Sequence, residues 1–422
     1  MTTVRRRRSA AALAASAVLG IAIASAAAPT AFAAPSPKPT PSAVMPSGLY
    51  GAGDPTYDGV WRQSVALLAQ DTVGVKPAAK AVDWLTGQQC ASGGFLSYRA
   101  DTAKPCDAKL PPDSNASAVA VQALAALGGQ DATVRKTVGW LKSVQNADGG
   151  WGYNPGGAGD ANSTSLVIGA LAAAGEKPDA VKSKGGKTPY DALLTFAKPC
   201  GGKDGGAFVY QQKTPGIVAD STAAGVLGAH GKGLVVTAGE KDAKGTVCEK
   251  ATTAEGAAHN GAVYLAAALA KTGHLDTAPM PGATDPTPKP DFGNTADAVV
   301  ALSAQGLGDQ AKKPLEWLRQ NAAAWAKESG PAAYAQLIFA AHASGADPKS
   351  FGGMDLVAAL NATGPAPESQ KPAAAEKKDS SESDSDSDSD SGIGVWWIAG
   401  VFFVASVGAG FLISGRKKNQ RL

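Results

Sequence analysis

The chain has 422 residues, 44% of them hydrophobic and 18% charged, with a formal net charge of +3. This is apolar enough for a sizeable core and too weakly basic for a nucleic-acid binder, so no nucleic-acid partner is expected. Its four cysteines and four histidines include no Cys-x-x-Cys and no ligand spacing between the two types, so no metal is expected either.

Four arginines at residues 5–8 precede an apolar stretch and an Ala-x-Ala site at 31–33, which reads as a secretory signal peptide over 1–33. A Pro/Ala-rich linker over 34–53 follows. Beyond it the chain repeats: Gly93-Gly94-Phe95, Gly149-Gly150-Trp151 and Gly205-Gly206-Ala207-Phe208 recur at steps of 56 residues between their first glycines. Self-similarity at such a period means one supersecondary unit stacked on its copies, each burying its neighbour's apolar face.

Periodicity and breakers predict twelve helices, near 57–70, 77–90, 115–128, 133–146, 162–175, 188–199, 219–230, 255–272, 294–306, 311–327, 331–345 and 350–361. They alternate in character. The segment Val134 to Val144 has one apolar stripe and one charged face, whereas Ala116 to Leu127, Ser163 to Ala174 and Thr295 to Ala304 are apolar nearly all round. Helices without a wet face belong inside a layer of helices that have one. Six pairs then close into a double-walled, all-α toroid over 54–363, with six inner and six outer helices.

Cys90, Cys106, Cys200 and Cys248 lie in a compartment that permits disulfides. Of three connectivities, 90 to 106 with 200 to 248 keeps each bridge within one repeat, and it is the one expected. After the helices come a Ser/Asp-rich stalk over 364–393, an apolar helix over 394–415 long enough to span a bilayer, and a basic tail over 416–422. By the positive-inside tendency the tail is cytoplasmic. The chain is thus expected in the cell membrane, single-pass, with the helical domain outside.

The segment Gln145-Asn146-Ala147-Asp148-Gly149-Gly150-Trp151, with its variant Gln89-Cys90-Ala91-Ser92-Gly93-Gly94-Phe95, resembles the glutamine-tryptophan repeat of squalene and oxidosqualene cyclases. The resemblance implies the α/α toroid shared by those cyclases, prenyltransferase β subunits, complement thioester domains and cobalamin carriers. It does not carry their chemistry across: the helical part lacks Asp-x-Asp-Asp, Asp-x-Cys and Gly-Cys-Gly-Glu-Gln, and Gly-x-Ser-x-Gly and His-Glu-x-x-His are missing as well.

Polar residues recur where the inner helices begin: Asp58, Asn115, Asn162, Asp220, Asn294 and Asp297, with hydroxyl neighbours. One reading is N-capping of orphan backbone amides; the other is a ligand pocket at one mouth of the ring. Tyr98, Tyr153 and Tyr210 follow the signature aromatics into loops where they could pack on a ligand. The expected function is capture of a small apolar or corrinoid-like ligand without catalysis, cobalamin being the ligand that the carriers suggest. Partners would be that small molecule, the membrane, and a transporter or a separate β-domain subunit, since the carriers' β domain is missing. Two alternatives stand beside it: an enzyme using Asp58, Asp160, Asp220 and Asp297 as acid and base, and a docking module for a membrane protein.

Overall fold

The computed structural model describes residues 45–277 and 287–368. The signal peptide at 1–33, linker residues 34–44, stalk residues 369–393, the apolar helix at 394–415 and the basic tail at 416–422 lie outside the described residues. Among the described residues no helix is long and apolar enough to cross a membrane.

The chain is all-α, with thirteen helices among the described residues and one two-stranded ladder of Leu275–Thr277 (β1) with Lys289–Asp291 (β2). Six helices are buried on nearly every side: α1 (Gly59–Thr72), α3 (Ser114–Leu127), α5 (Ala161–Ala173), α7 (Val218–Ala229), α9 (Phe292–Ala304) and α12 (Pro331–Ser344). Each packs on the next, and α12 returns to α1, so the six close a ring. Their abundance of Ala and Gly is what permits such close approach on all sides.

The others lie against this ring. Helices α2 (Ala79–Gly87) and α4 (Asp131–Ser143) pack on α1 and α3; α6 (Pro189–Leu194) packs on α5 and α7, and α8 (Ala254–Leu269) on α7 and α9. Helix α10 (Gly308–Asn321) packs on α9 and α12, while α11 (Ala323–Ser329) and α13 (Leu356–Asn361) pack on α12. Helix α4 shows why its kind stays outside. Val134, Thr137, Val138 and Leu141 are buried at helical spacing, while Arg135, Lys136 and Lys142 are exposed.

Three predicted helices differ in extent. The 311–327 segment is two helices, breaking at Ala322, which ends α10 and begins α11. The 188–199 helix stops at Leu194 because the chain turns to pair with the signature loop: Lys198 N–H donates to the Ala207 carbonyl and Val209 N–H to that of Phe196. The 350–361 helix is only Leu356–Asn361, since Gly352 and Gly353, with φ of 60° and 84°, form a turn bridged between Phe351 and Met354.

The repeats are held by one recurring device. Phe95, Trp151 and Phe208 are buried wedges, and the backbone N–H of each donates to a hydroxyl on an inner helix: Ser117 at 2.8 Å, Thr164 at 3.1 Å and Thr222 at 3.1 Å. The same bond occurs twice more, from Tyr50 N–H to Gln63 Oε1 (2.8 Å) and from Leu275 N–H to the Thr295 hydroxyl (3.0 Å). A glycine stands two residues before every wedge, at positions 48, 93, 149, 206 and 273. The slot for Phe208 is cut by another glycine: a β-carbon on Gly225 would overlap its ring.

The packed unit therefore extends past the 54–363 boundary. Tyr50, expected in a linker, is fully buried; its hydroxyl shares its one proton between Gln70 Oε1 (3.0 Å) and the Pro365 carbonyl (3.1 Å), and Gly51 N–H donates to the Thr363 carbonyl (2.8 Å). Both expected disulfides, Cys90–Cys106 and Cys200–Cys248, are present.

Candidate functional site at the ring mouth

The wedge bond gives every inner helix a common register. Four residues before Ser117, Thr164 and Thr295 stand Asp113, Asp160 and Asp291, the N-caps of α3, α5 and α9. Asp113 Oδ1 accepts from Asn115 N–H (2.7 Å) and Ala116 N–H (3.0 Å). Asp160 accepts from the Ser163 N–H (2.7 Å) and hydroxyl (2.9 Å), and Asp291 from the Asn294 N–H (3.0 Å) and Nδ2 (2.6 Å). Capping thus falls to these three aspartates, while Thr164, Thr222 and Thr295 serve the wedges.

Two tyrosines act electrostatically on these caps. Burial, with the neighbouring charge of Asp113 on Tyr153 and of Asp160 on Tyr210, pushes both phenols well above their ordinary range. The two tyrosines stand two residues after their wedges, where the first repeat has Ser97. Tyr98 is one residue out of that register. It stacks on Trp84 of α2, with ring centroids 6.4 Å apart, beside the start of α1.

Two residues beyond the cap position come Asn115, Asn162 and, on α7, Asp220. On α7 the position four residues before Thr222 is Val218, the first helical residue after the N-cap Ile217, and the acid Asp220 stands two residues further on. Asn162 Nδ2 donates to Asp220 Oδ2 at 2.8 Å. Asn115 Oδ1, Asn162 Oδ1 and Asp220 Oδ1 are buried with no hydrogen-bond partner. Gln336 of α12 donates Nε2 to both oxygens of Asp297, at 3.2 and 3.3 Å.

Mutual repulsion and burial set the protonation here. Desolvation pushes Asp220 up to about 8, with the charges of Asp291 and Asp160 adding to it. Asp297 is raised well above the carboxylate range by burial and by Asp220 and Asp291. Asp160 is raised to about 6, chiefly by burial. A cavity of about 300 Å³ opens beside this cluster, lined by Asp58, Asp291, Asn294, Asp297, Trp325 and Gln336 among others. Of the candidate residues, Asn294 and Asp297 line it, while Asp220 and its partner Asn162 do not. Tyr98, Tyr153, Tyr210 and Asn115 do not line it.

Gln336 and Trp325 carried no repeated signal, because α12 begins at Gly330-Pro331 without a polar cap and α11 has no counterpart in other repeats. Among the described residues no group of three or more His, Cys, Asp or Glu side chains is placed to hold a metal ion. His259 has a fixed structural place, its Nδ1 at 2.6 Å from Asp242 Oδ2 and its Nε2 at 2.8 Å from the Val247 carbonyl.

No family model matches the chain. It is 40% identical over 70 residues to drimenyl diphosphate synthase of Streptantibioticus cattleyicolor, a stretch covering 17% of this chain and 12% of that enzyme. It is also similar to a crystal structure of a protein from Actinoplanes, at 15% identity and a TM-score of 0.41, over 71% of this chain and 80% of the other.

Proposed function

We propose that the ring is an α/α toroid of the cyclase and prenyltransferase type whose mouth captures a small ligand outside the cell, without turning it over. The supporting observation is the cavity beside the starts of the buried helices, lined by Asp58, Asp291, Asn294, Asp297, Trp325 and Gln336 among others. The lining alters the expected character of the ligand. Carboxyls and carboxamides surround the cavity and the candidate tyrosines do not line it, which favours a hydrogen-bonding ligand over an apolar one. A cavity of about 300 Å³ is at the small end of ligand sites. A corrinoid would rest only its peripheral amides there, and a transporter or a β-domain subunit would have to supply the rest of its site.

The test is a thermal-shift panel of cobalamin, terpenoids, oligosaccharides and amines on the full chain. A ligand that raises the melting temperature of the wild type and not of Asp220→Asn supports the reading; a panel without any shift overturns it.

A second reading rests on Asp220. A carboxylic acid that remains neutral at pH 7 is a proton donor, and here it stands among three further acids. The partial likeness to drimenyl diphosphate synthase favours a terpenoid cyclase-like activity on that basis. Consumption of an isoprenoid diphosphate that stops in Asp220→Asn, with the fold retained, would establish the enzyme.

A further inference from the structure

At the end of the ring away from the mouth, we infer that residues 239–249 form a pH-sensitive strap, latched by a doubly protonated His259 and released as pH rises. The strap walls a cavity of about 500 Å³ with Glu240, Asp242 and Lys244. Its other walls include His230 and Gln305, the C-caps of α7 and α9, and Glu255 and His259 of α8.

The strap has little apolar packing to hold it. None of residues 237–249 is buried, and Val247 is 59% exposed. A segment of this kind opens at low cost unless polar ties close it. At one end, Gly239 N–H donates to the Ser303 carbonyl (2.9 Å) and Asp242 N–H to that of Gly306 (3.2 Å). At the other, Cys248 is bridged to Cys200, while Glu249 N–H donates to Asn260 Oδ1 (2.9 Å) and its carbonyl accepts from Asn260 Nδ2 (2.6 Å). Between these ends, His259 ties α8 to both sides of the exposed arc: its Nδ1 lies 2.6 Å from Asp242 Oδ2 and its Nε2 2.8 Å from the Val247 carbonyl.

Both of those partners are acceptors, and His259 is only 4% exposed. A neutral imidazole has one N–H and one lone pair, so it can serve one acceptor and must turn its lone pair on the other. The ring meets both only with two protons. When it gives one of them to water, the carboxylate keeps its N–H, because that bond is the shorter and is charge-assisted, and the Val247 carbonyl is let go. The neighbouring charges leave this step to His259. Burial opposes the charge of Asp242, yet the Lys244 N–H and His259 hold it below the usual carboxylate range, so it remains an acceptor as pH rises. Burial and then Lys232 hold His230 below the ordinary imidazole value, against the pull of Glu255. The other charged groups on the cavity are Glu240 and Lys244, the latter held by Glu249 at 2.9 Å.

The experiment is hydrogen exchange read by mass spectrometry on the full chain at about pH 5.5 and about pH 8.5, either side of the ordinary imidazole value, with rates normalised to the intrinsic rate at each pH. Protection of peptides covering 239–249 should fall by about tenfold or more at the higher pH, the worth of one charge-assisted hydrogen bond. His259→Gln, whose amide can donate to one of the two acceptors at any pH, should leave the strap at its high-pH protection in both buffers. Asp242→Asn, which keeps an acceptor and removes its charge, should shrink the wild-type response. Imidazole nitrogen shifts of isotope-labelled wild type should show both His259 nitrogens protonated at the lower pH. Equal wild-type protection at the two pH values overturns the inference, whether or not the variants fold. A response that persists in His259→Gln places the switch on another group and overturns it as well, and so does a His259 ring with one bare nitrogen at the lower pH.

Discussion

Thr164→Val isolates the bond that ties one repeat to the next. The Thr164 hydroxyl accepts from Trp151 N–H at 3.1 Å and donates to the Trp151 carbonyl at 3.3 Å, and both residues are at most 1% exposed. Valine keeps the shape and removes the hydroxyl, so Trp151 N–H is left buried with no partner and no room for water. The expected loss is about 1–3 kcal/mol, the desolvation penalty of an unmatched amide, because almost no packing is removed. Urea unfolding followed by tryptophan fluorescence reads this as a lower midpoint at unchanged slope. Thr72→Val is the control, since the Thr72 hydroxyl only adds a second bond to the Leu68 carbonyl on a partly exposed turn. Its effect should stay within about 0.5 kcal/mol. If the two variants unfold at the same urea concentration, the hydroxyl clamp contributes nothing and the repeats are joined by wedge packing alone.

Tyr210→Phe removes a phenol from buried Asp160 and should lower stability by about 1 kcal/mol in the same assay while leaving ligand affinity unchanged; a loss of affinity at constant stability would return the tyrosine to the ligand site. The raised carboxyls bind protons more tightly in the folded state, so their own contribution to stability is fully present below the ordinary aspartate value of 3.8 and is lost as pH rises. The melting temperature of the wild type relative to Asp220→Asn should therefore fall as pH rises from about 4 through about 8, where Asp220 ionises; a difference that stays constant or grows over that window would refute the assignment. Opening Cys200–Cys248, which spans 48 residues, should cost about 4 kcal/mol by loop-closure entropy, and opening Cys90–Cys106, which spans 16, about 3 kcal/mol. Single-pair Cys→Ser variants compared by urea unfolding check both values, and equal stability with the wild type would refute the entropic account.

The sequence made the helices legible because inner and outer copies bury different amounts of surface, which leaves an all-round apolar run or a single stripe. The repeat was legible only where its wedge is aromatic and follows paired glycines. Leu275 in Gly273-His274-Leu275 and Tyr50 in Gly48-Leu49-Tyr50 make the same backbone bond, yet one lacks an aromatic ring and the other sits beside a proline-rich stretch that looks like linker. The candidate site was half legible. Asn162, Asp220, Asn294 and Asp297 repeat and could be picked out, whereas Gln336 and Trp325 enter from positions with no counterpart elsewhere. Tyr98 misled because one residue of offset after Phe95 carries it out of the register that Tyr153 and Tyr210 share.

Closure of the six buried helices has a consequence for descent as well as for stability. In an open stack a copy can be gained or lost at an end, and the remaining interfaces are untouched. In this ring α12 meets α1, and the Gly51 to Thr363 bond ties the first and last turns, so deleting or duplicating one unit would open the seam and change the curvature of every joint. Copy number is locked. Divergence among the copies is then confined to substitution at fixed slots, and one slot near the helix starts shows it: Asn115 on α3, Asn162 on α5, and on α7 Asp220, which turns a carboxamide position into a titratable one.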